Sequence, residues 1–102
     1  MSDIIVTGYL KIDPAKHDAF VAAAVELMKA TRAEEGNVGY TFSADLEEPG
    51  LFHVSEQWSS AEALDTHMAT PHMATFMATS ATLGLAGGSV HKWEGGTPSK
   101  LI

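Results

Sequence analysis

Residues Glu56 to His72 read E-Q-W-S-S-A-E-A-L-D-T-H-M-A-T-P-H, and their punctuation narrows the available folds more than any other stretch. Ser59 followed three residues later by Glu62 is a capping-box pattern, which predicts a strand ending near Trp58 and a helix starting at about Ala61. Thr70-Pro71 repeats the signal. A hydroxyl at the cap and proline at the first helical position close one short helix and open another. His67 and His72 therefore flank a helix break, where two imidazoles can converge on a pocket.

The flanking chain supplies the other elements. Residues 3–12 are rich in β-branched side chains and end at Asp13-Pro14, which predicts a strand. Ile4, Val6, Leu10 and Ile12 share one of its faces; Ile5, Thr7 and Tyr9 share the other. A sheet with helices on one side only does not need two partly apolar faces, so the second is expected to meet another copy of the chain. Asp13 caps and Pro14 opens a helix predicted over 14 to about 35, with Phe20, Ala23, Ala24, Leu27 and Thr31 as its buried stripe and Gly36 as a left-handed stop. Residues 37–46 alternate with Val38, Tyr40, Phe42 and Ala44 on one face. A turn at Glu47-Glu48-Pro49-Gly50 joins them to a second strand, 51–58. There Phe52, Val54, Glu56 and Trp58 share a face, which sets a carboxylate in an apolar row, where it is costly to bury without a partner.

The segment 60–68 reads as the short helix and 71–83 as the next, with Met73, Phe76, Met77, Ser80 and Leu83 on one side. Gly84, Gly87 and Gly88 end it, Ser89 to Glu94 reads as a closing strand, and residues 95–102 form a loose or partner-clasping tail. Strand, helix, hairpin, broken helix, strand is the ferredoxin-like α+β order, an antiparallel sheet with helices on one face. The 102 residues form a single domain with a core of about 3–94.

Composition removes several functions. A net charge of −7, from six Lys/Arg against thirteen Asp/Glu, argues against nucleic acid and against an anionic membrane surface. No apolar run is long enough to span a bilayer, and Met-Ser-Asp-Ile-Ile lacks the regions of a signal peptide, so a cytoplasmic location is expected. Without cysteine there is no disulfide, thiolate nucleophile or thiolate metal site.

Glu56-x-Trp58, Ser60, Ala63, Leu64, His67 and Thr70-Pro71-His72, with Arg32-x-Glu34-x-Gly36 leading into Tyr40, resemble the antibiotic biosynthesis monooxygenase family, in its quinol-monooxygenase branch. The resemblance covers roughly residues 3 to 94. It implies a homodimer whose sheets face each other in an α+β barrel, a pocket between sheet and helices, and oxygen chemistry without flavin, metal or haem. Haem-degrading members of this fold carry an Asn, Trp, His triad. Here those positions hold Thr7 or Gly8, His67 and Met77, which argues against that activity. A branch of the family that isomerises phosphorylated sugar-like molecules has a similar T-P-H segment.

A monooxygenase without a cofactor takes its electrons from the substrate, so a quinol or polyphenol must be bound, deprotonated and sheltered. Histidine suits the proton step near neutral pH. His67 is the expected base, Glu56 its orienter and His72 a second candidate, with Trp58, Tyr40, Phe42, Met73, Phe76 and Met77 as walls for a flat apolar ligand. A merely structural Glu56–His67 pair is the plain alternative, as is a core role for the aromatic residues. Arg32 is expected to serve local charge balance, and His17, His53 and His91 have no motif around them. Glu56, His67 and His72 also have the composition of an iron facial triad. Five residues with a proline break between the histidines match no short metal motif, and no metal or other cofactor is expected. The expected partners are a small aromatic substrate, dioxygen and a second copy of the chain. An isomerase of a small hydroxy-carbonyl compound and a non-catalytic dimeric binding module are the alternatives.

Overall fold

The computed structural model describes residues 3–102. Its sheet contains β1 (Ile4–Lys11), β2 (Asn37–Ala44), β3 (Leu51–Trp58) and β4 (Gly87–Glu94), and one face is covered by α1 (His17–Arg32), α2 (Ala61–Met68) and α3 (Pro71–Thr82). The strands are antiparallel in the order β2-β3-β1-β4. This is the expected ferredoxin-like α+β fold, with both helical connections passing over the same face. Among the described residues no helix is long and apolar enough to cross a membrane.

Local chemistry explains most boundaries. Asp13 accepts the Ala15 N–H at 2.9 Å, but Pro14–Lys16 winds as a 3-10 turn before α1 begins. The helix also stops at Arg32, short of the expected 35, because the chain needs the next four residues to reverse into β2. Gly36 makes that reversal at φ +86°. The cap of α2 is Ser60 rather than Ser59: its hydroxyl accepts the Ala63 N–H at 3.1 Å. Thr70 caps α3 as expected, with Pro71 at the first position.

The core lies between sheet and helices. Phe20 and Leu27 of α1, Tyr40, Phe52, Trp58 and Phe76 are almost wholly buried. Phe20 stands at its centre, 4.5 Å from Phe52 and 5.6 Å from Phe76 between ring centroids. Burying one such ring is worth about 1.5–3 kcal/mol. Val38 departs from the expected alternation, because a register shift between Asn37 and Gly39 turns it out to 58% exposure. On the helix-free face Ile5, Tyr9 and Trp93 are exposed, and the Trp93 indole donates to the Thr7 hydroxyl at 3.1 Å. Residues 95–102 carry no helix or strand and are exposed.

Gly8 lets β4 close on β1. A Cβ there would lie 2.6 Å from the Val90 Cα and closer still to the Ser89 carbonyl oxygen, both backbone atoms that cannot swing away. Gly8→Ala is therefore expected to cost about 1–3 kcal/mol in urea unfolding, as overpacked sites do. Gly39→Ala, where nothing lies within 4 Å, should stay within about 0.5 kcal/mol of the parent.

Candidate functional site

The helix break works as the sequence suggests. Thr70 donates its hydroxyl hydrogen to the His67 carbonyl at 2.7 Å and accepts the Met73 N–H at 3.3 Å, so one side chain ties the end of α2 to the start of α3. His67, in the last turn of α2, and His72, in the first turn of α3, are thereby set side by side, with ring centroids 6.2 Å apart.

Their common partner is Glu34, not Glu56. Glu34 follows α1 in the turn that leads to Gly36, held by its own N–H to the Thr31 carbonyl at 2.9 Å and by its carbonyl to the Asn37 N–H at 3.2 Å. The turn is pressed on α2, since a Cβ on Gly36 would sit 2.5 Å from that of Ala63. From there Glu34 Oε2 lies 2.8 Å from His67 Nδ1 and 2.7 Å from His72 Nε2. A carboxylate only accepts, so each of those nitrogens carries a hydrogen, and His67 is left with Nε2 as its lone-pair atom. That nitrogen is buried and has no partner among the described residues, as is the second oxygen of Glu34. Only two other buried side-chain atoms there share this condition, the hydroxyls of Thr31 and Ser80.

Glu56 makes a different bond. Its Oε1 accepts the Trp58 indole N–H at 2.9 Å, from the neighbouring residue on the same face of β3. The expected Glu56–His67 pair is thus replaced by two contacts, Glu56 to Trp58 and Glu34 to His67. Burial pushes the Glu56 carboxyl above its ordinary value, and the Glu34 carboxylate adds to this; the Trp58 hydrogen bond opposes it, as does His67 whenever its ring is protonated. Burial also raises the Tyr40 phenol, with Glu56 and Glu34 reinforcing it, so this hydroxyl stays protonated.

His67 and Glu56 border a cavity of about 430 Å³ between the sheet and α2–α3. Tyr40, Phe42, Met73, Phe76 and Met77 line it. This is a size and lining that suit a small organic molecule. Trp58 does not line it: it is fully buried behind the site, 4.8 Å from the His67 ring. Met77 is 47% exposed and sits at the rim. Arg32 donates from Nε to the Tyr40 carbonyl at 3.1 Å, a structural bond between α1 and β2. His53 pairs with Asp45 on the surface at 2.9 Å, holding the Asp45 carboxyl down at about 2.

The residue that sequence reasoning passed over is Glu34. Two signals were available: Glu34 stands in the Arg32-x-Glu34-x-Gly36 pattern, where it was given no role, and a carboxylate just beyond a helix C-terminus faces the negative end of the helix dipole and calls for a compensating partner. Glu34, His67 and His72 also offer three ligand-type atoms within 4.8 Å of one another, so the carboxylate of any metal-binding group here is Glu34.

The family model for antibiotic biosynthesis monooxygenases matches residues 3–79, which hold the Glu34, Glu56, His67 and His72 positions. The chain belongs to that family. A Bacillus subtilis (strain 168) protein named "Putative monooxygenase YcnE" is 33% identical over 75 residues, 74% of this chain and 79% of its own length. The Synechocystis protein sll1783 is 34% identical over 74 residues, 72% of this chain and 50% of its own length. Among solved structures, one described as a "putative antibiotic biosynthesis monooxygenase" from Deinococcus radiodurans superposes with a TM-score of 0.91 at 26% identity, covering 97% of this chain and 98% of the other. In this family member the shared fold extends past the matched residues to include β4.

The raised Glu56 carboxyl gives a pH signature. The folded chain holds this proton more tightly than the unfolded chain, so the contribution to stability is complete below the ordinary value of 4.5 and is lost as pH rises through the raised folded value. Glu56→Gln keeps an acceptor for Trp58 and removes the titration. In urea unfolding across pH 4–8, its stability relative to the parent should climb as pH rises; a difference that does not vary with pH would contradict the assignment.

Proposed function

We propose that this chain is a cofactor-independent monooxygenase of small electron-rich aromatics, a quinol or polyphenol, with dioxygen as the oxidant. The observation that carries the reading is the state of His67. It is 1% exposed, fixed through Nδ1 by Glu34, and beside an apolar cavity with Nε2 unpartnered. A base atom held dry, with its other nitrogen oriented by a carboxylate, is the arrangement used to take a proton from a hydroxyl.

The substrate hydroxyl passes its proton to Nε2, and Glu34 stabilises the imidazolium that forms. The resulting aryloxide transfers one electron to dioxygen, giving an aryloxyl radical and superoxide, which combine at a ring carbon that carries part of the spin to form a peroxide. The proton on His67 returns to the outer peroxide oxygen, the O–O bond breaks, and the ring hydrogen leaves as a proton. One oxygen atom stays as a quinone carbonyl and the other departs as water. Glu56 and the Tyr40 phenol, both on the cavity wall, would hold the substrate oxygens, and His72 steadies Glu34 from the other side.

Oxygen uptake by the EDTA-treated protein with a panel of hydroquinones tests this. His67→Ala is expected to lower uptake by about 10²–10⁴-fold, the usual share of a general base, with the far-UV spectrum unchanged. Glu34→Gln, which keeps the shape but weakens the charge that orients the ring, should lower it by about 10-fold or more. Undiminished uptake in folded His67→Ala would end the reading. Proton exchange into a hydroxy-ketone without oxygen uptake would indicate an isomerase, and neither signal with retained ligand binding a binding module.

The open sheet face is part of the same proposal, as the contact between two copies. Ile5, Tyr9 and Trp93 leave it apolar in the isolated chain. The parent is expected to run as a dimer in light scattering, and Tyr9→Lys combined with Trp93→Glu as a monomer.

A further inference from the structure

We infer that Glu34, His67 and His72 form a binding site for a divalent transition ion of the zinc type, and that the bound ion switches the base off. The second half rests on the reading of His67 as the base; the first does not. Glu34 Oε2, His67 Nδ1 and His72 Nε2 lie within 4.8 Å of one another, two imidazole nitrogens and a carboxylate oxygen, a donor set that selects zinc-like ions over magnesium or calcium. The donors come from three elements already locked together: the turn after α1, the end of α2 and the start of α3.

Tetrahedral zinc with bonds of about 2.0–2.1 Å sets its ligand atoms about 3.3 Å apart. The two nitrogens now sit 2.8 and 2.7 Å from Oε2, with all three atoms within 4.8 Å, so an ion that replaces the two shared hydrogens lengthens the oxygen–nitrogen edges by about 0.5 Å and draws the two rings together by up to about 1.5 Å. An independent observation points the same way: Glu34 Oε1 is buried without a partner, a spare carboxylate oxygen available as a second ligand. An entry path exists as well. The His72 side chain is 29% exposed, and Glu34 is one of the residues lining a second open cleft, of about 400 Å³, that shares none of its lining with the cavity beside His67. Water from that cleft can complete the coordination.

The consequence follows from the tautomer. In the free protein the hydrogen of His67 is on Nδ1 and the lone pair on Nε2. An ion on Nδ1 displaces the hydrogen held there and binds the lone pair this uncovers, and the neutral ring then carries its one hydrogen on Nε2, which becomes a donor and can no longer accept a proton. Zinc thus acts on the back of the ring that the substrate meets from the front.

Calorimetric titration of the EDTA-stripped protein with zinc chloride at pH 7.5 tests the site. One ion per chain is expected, with affinity at least 10-fold lower in Glu34→Gln and His72→Ala and unchanged in His53→Ala, whose surface pair with Asp45 is the control for adventitious binding. Binding that survives both substitutions, or magnesium binding as tightly as zinc, overturns the site. The tautomer is read by ¹⁵N NMR of the histidine rings, with His67 protonated on Nδ1 in the free form and on Nε2 in the zinc form; no change at His67 overturns the switch. Zinc should also abolish oxygen uptake, and excess EDTA should restore it. Uptake unaffected by saturating zinc refutes the switching role. Because calorimetry and NMR need no turnover, absence of uptake with every substrate would bear on the proposed activity alone.

Discussion

A single carboxylate oxygen that accepts from two imidazoles holds this site together. Glu34 Oε2 links the end of α1 to both sides of the α2–α3 break, three segments otherwise joined mainly by apolar packing. Hydrogen bonds to a charged acceptor are about twice as strong as neutral ones. They are also directional, which packing is not. The bond therefore fixes which nitrogen of His67 carries the hydrogen and which way its ring faces, while the Trp58 and Tyr40 rings, at centroid distances of 4.8 and 5.3 Å, prevent it from turning. Orientation comes from one contact and rigidity from two others.

The remaining polar groups arrange themselves around that constraint. Glu56 borders the cavity while Glu34 lines the separate cleft beside α2, and the two carboxylates have different partners. Glu34 receives two N–H donors, whereas Glu56 receives one, from Trp58, in the apolar row of β3. Burial in that row holds the Glu56 carboxyl above its ordinary value.

The fold was readable in the sequence because its signals are local. Asp13-Pro14, Thr70-Pro71 and Gly36 each act within a few residues, and the strand alternation of β3 placed Glu56 and Trp58 on one face correctly. The errors arose where neighbours compete or distance intervenes. Two adjacent serines could cap α2, and the pattern Ser59-x-x-Glu62 was matched although the hydroxyl that bonds belongs to Ser60. The alternation of β2 misplaced Val38 because a register shift leaves no mark in composition. Both histidines were recognised, but their partner is 33 and 38 positions away, across a helix, a hairpin and a turn. Glu56 was the nearer carboxylate along the chain; the Trp58 indole, two residues on and on the same face, had already claimed it.

Among the described residues, two of the four buried side-chain atoms without a hydrogen-bond partner belong to the Glu34–His67 pair. Leaving one such atom unsatisfied costs about 1–3 kcal/mol, a large share of the 5–15 kcal/mol by which a domain this size is usually stable. A hydrophobic residue in the place of His67 would relieve that cost and still fill the space against Trp58 and Tyr40. The imidazole is therefore a poor choice for stability alone. A ligand hydroxyl that reaches Nε2 would recover the missing hydrogen bond at the moment of binding, so the same deficit that weakens the empty protein favours its complex. The unpartnered Thr31 and Ser80 hydroxyls are single buried atoms, whereas at Glu34 and His67 the deficit falls on two groups bonded to each other, one of them beside an apolar cavity.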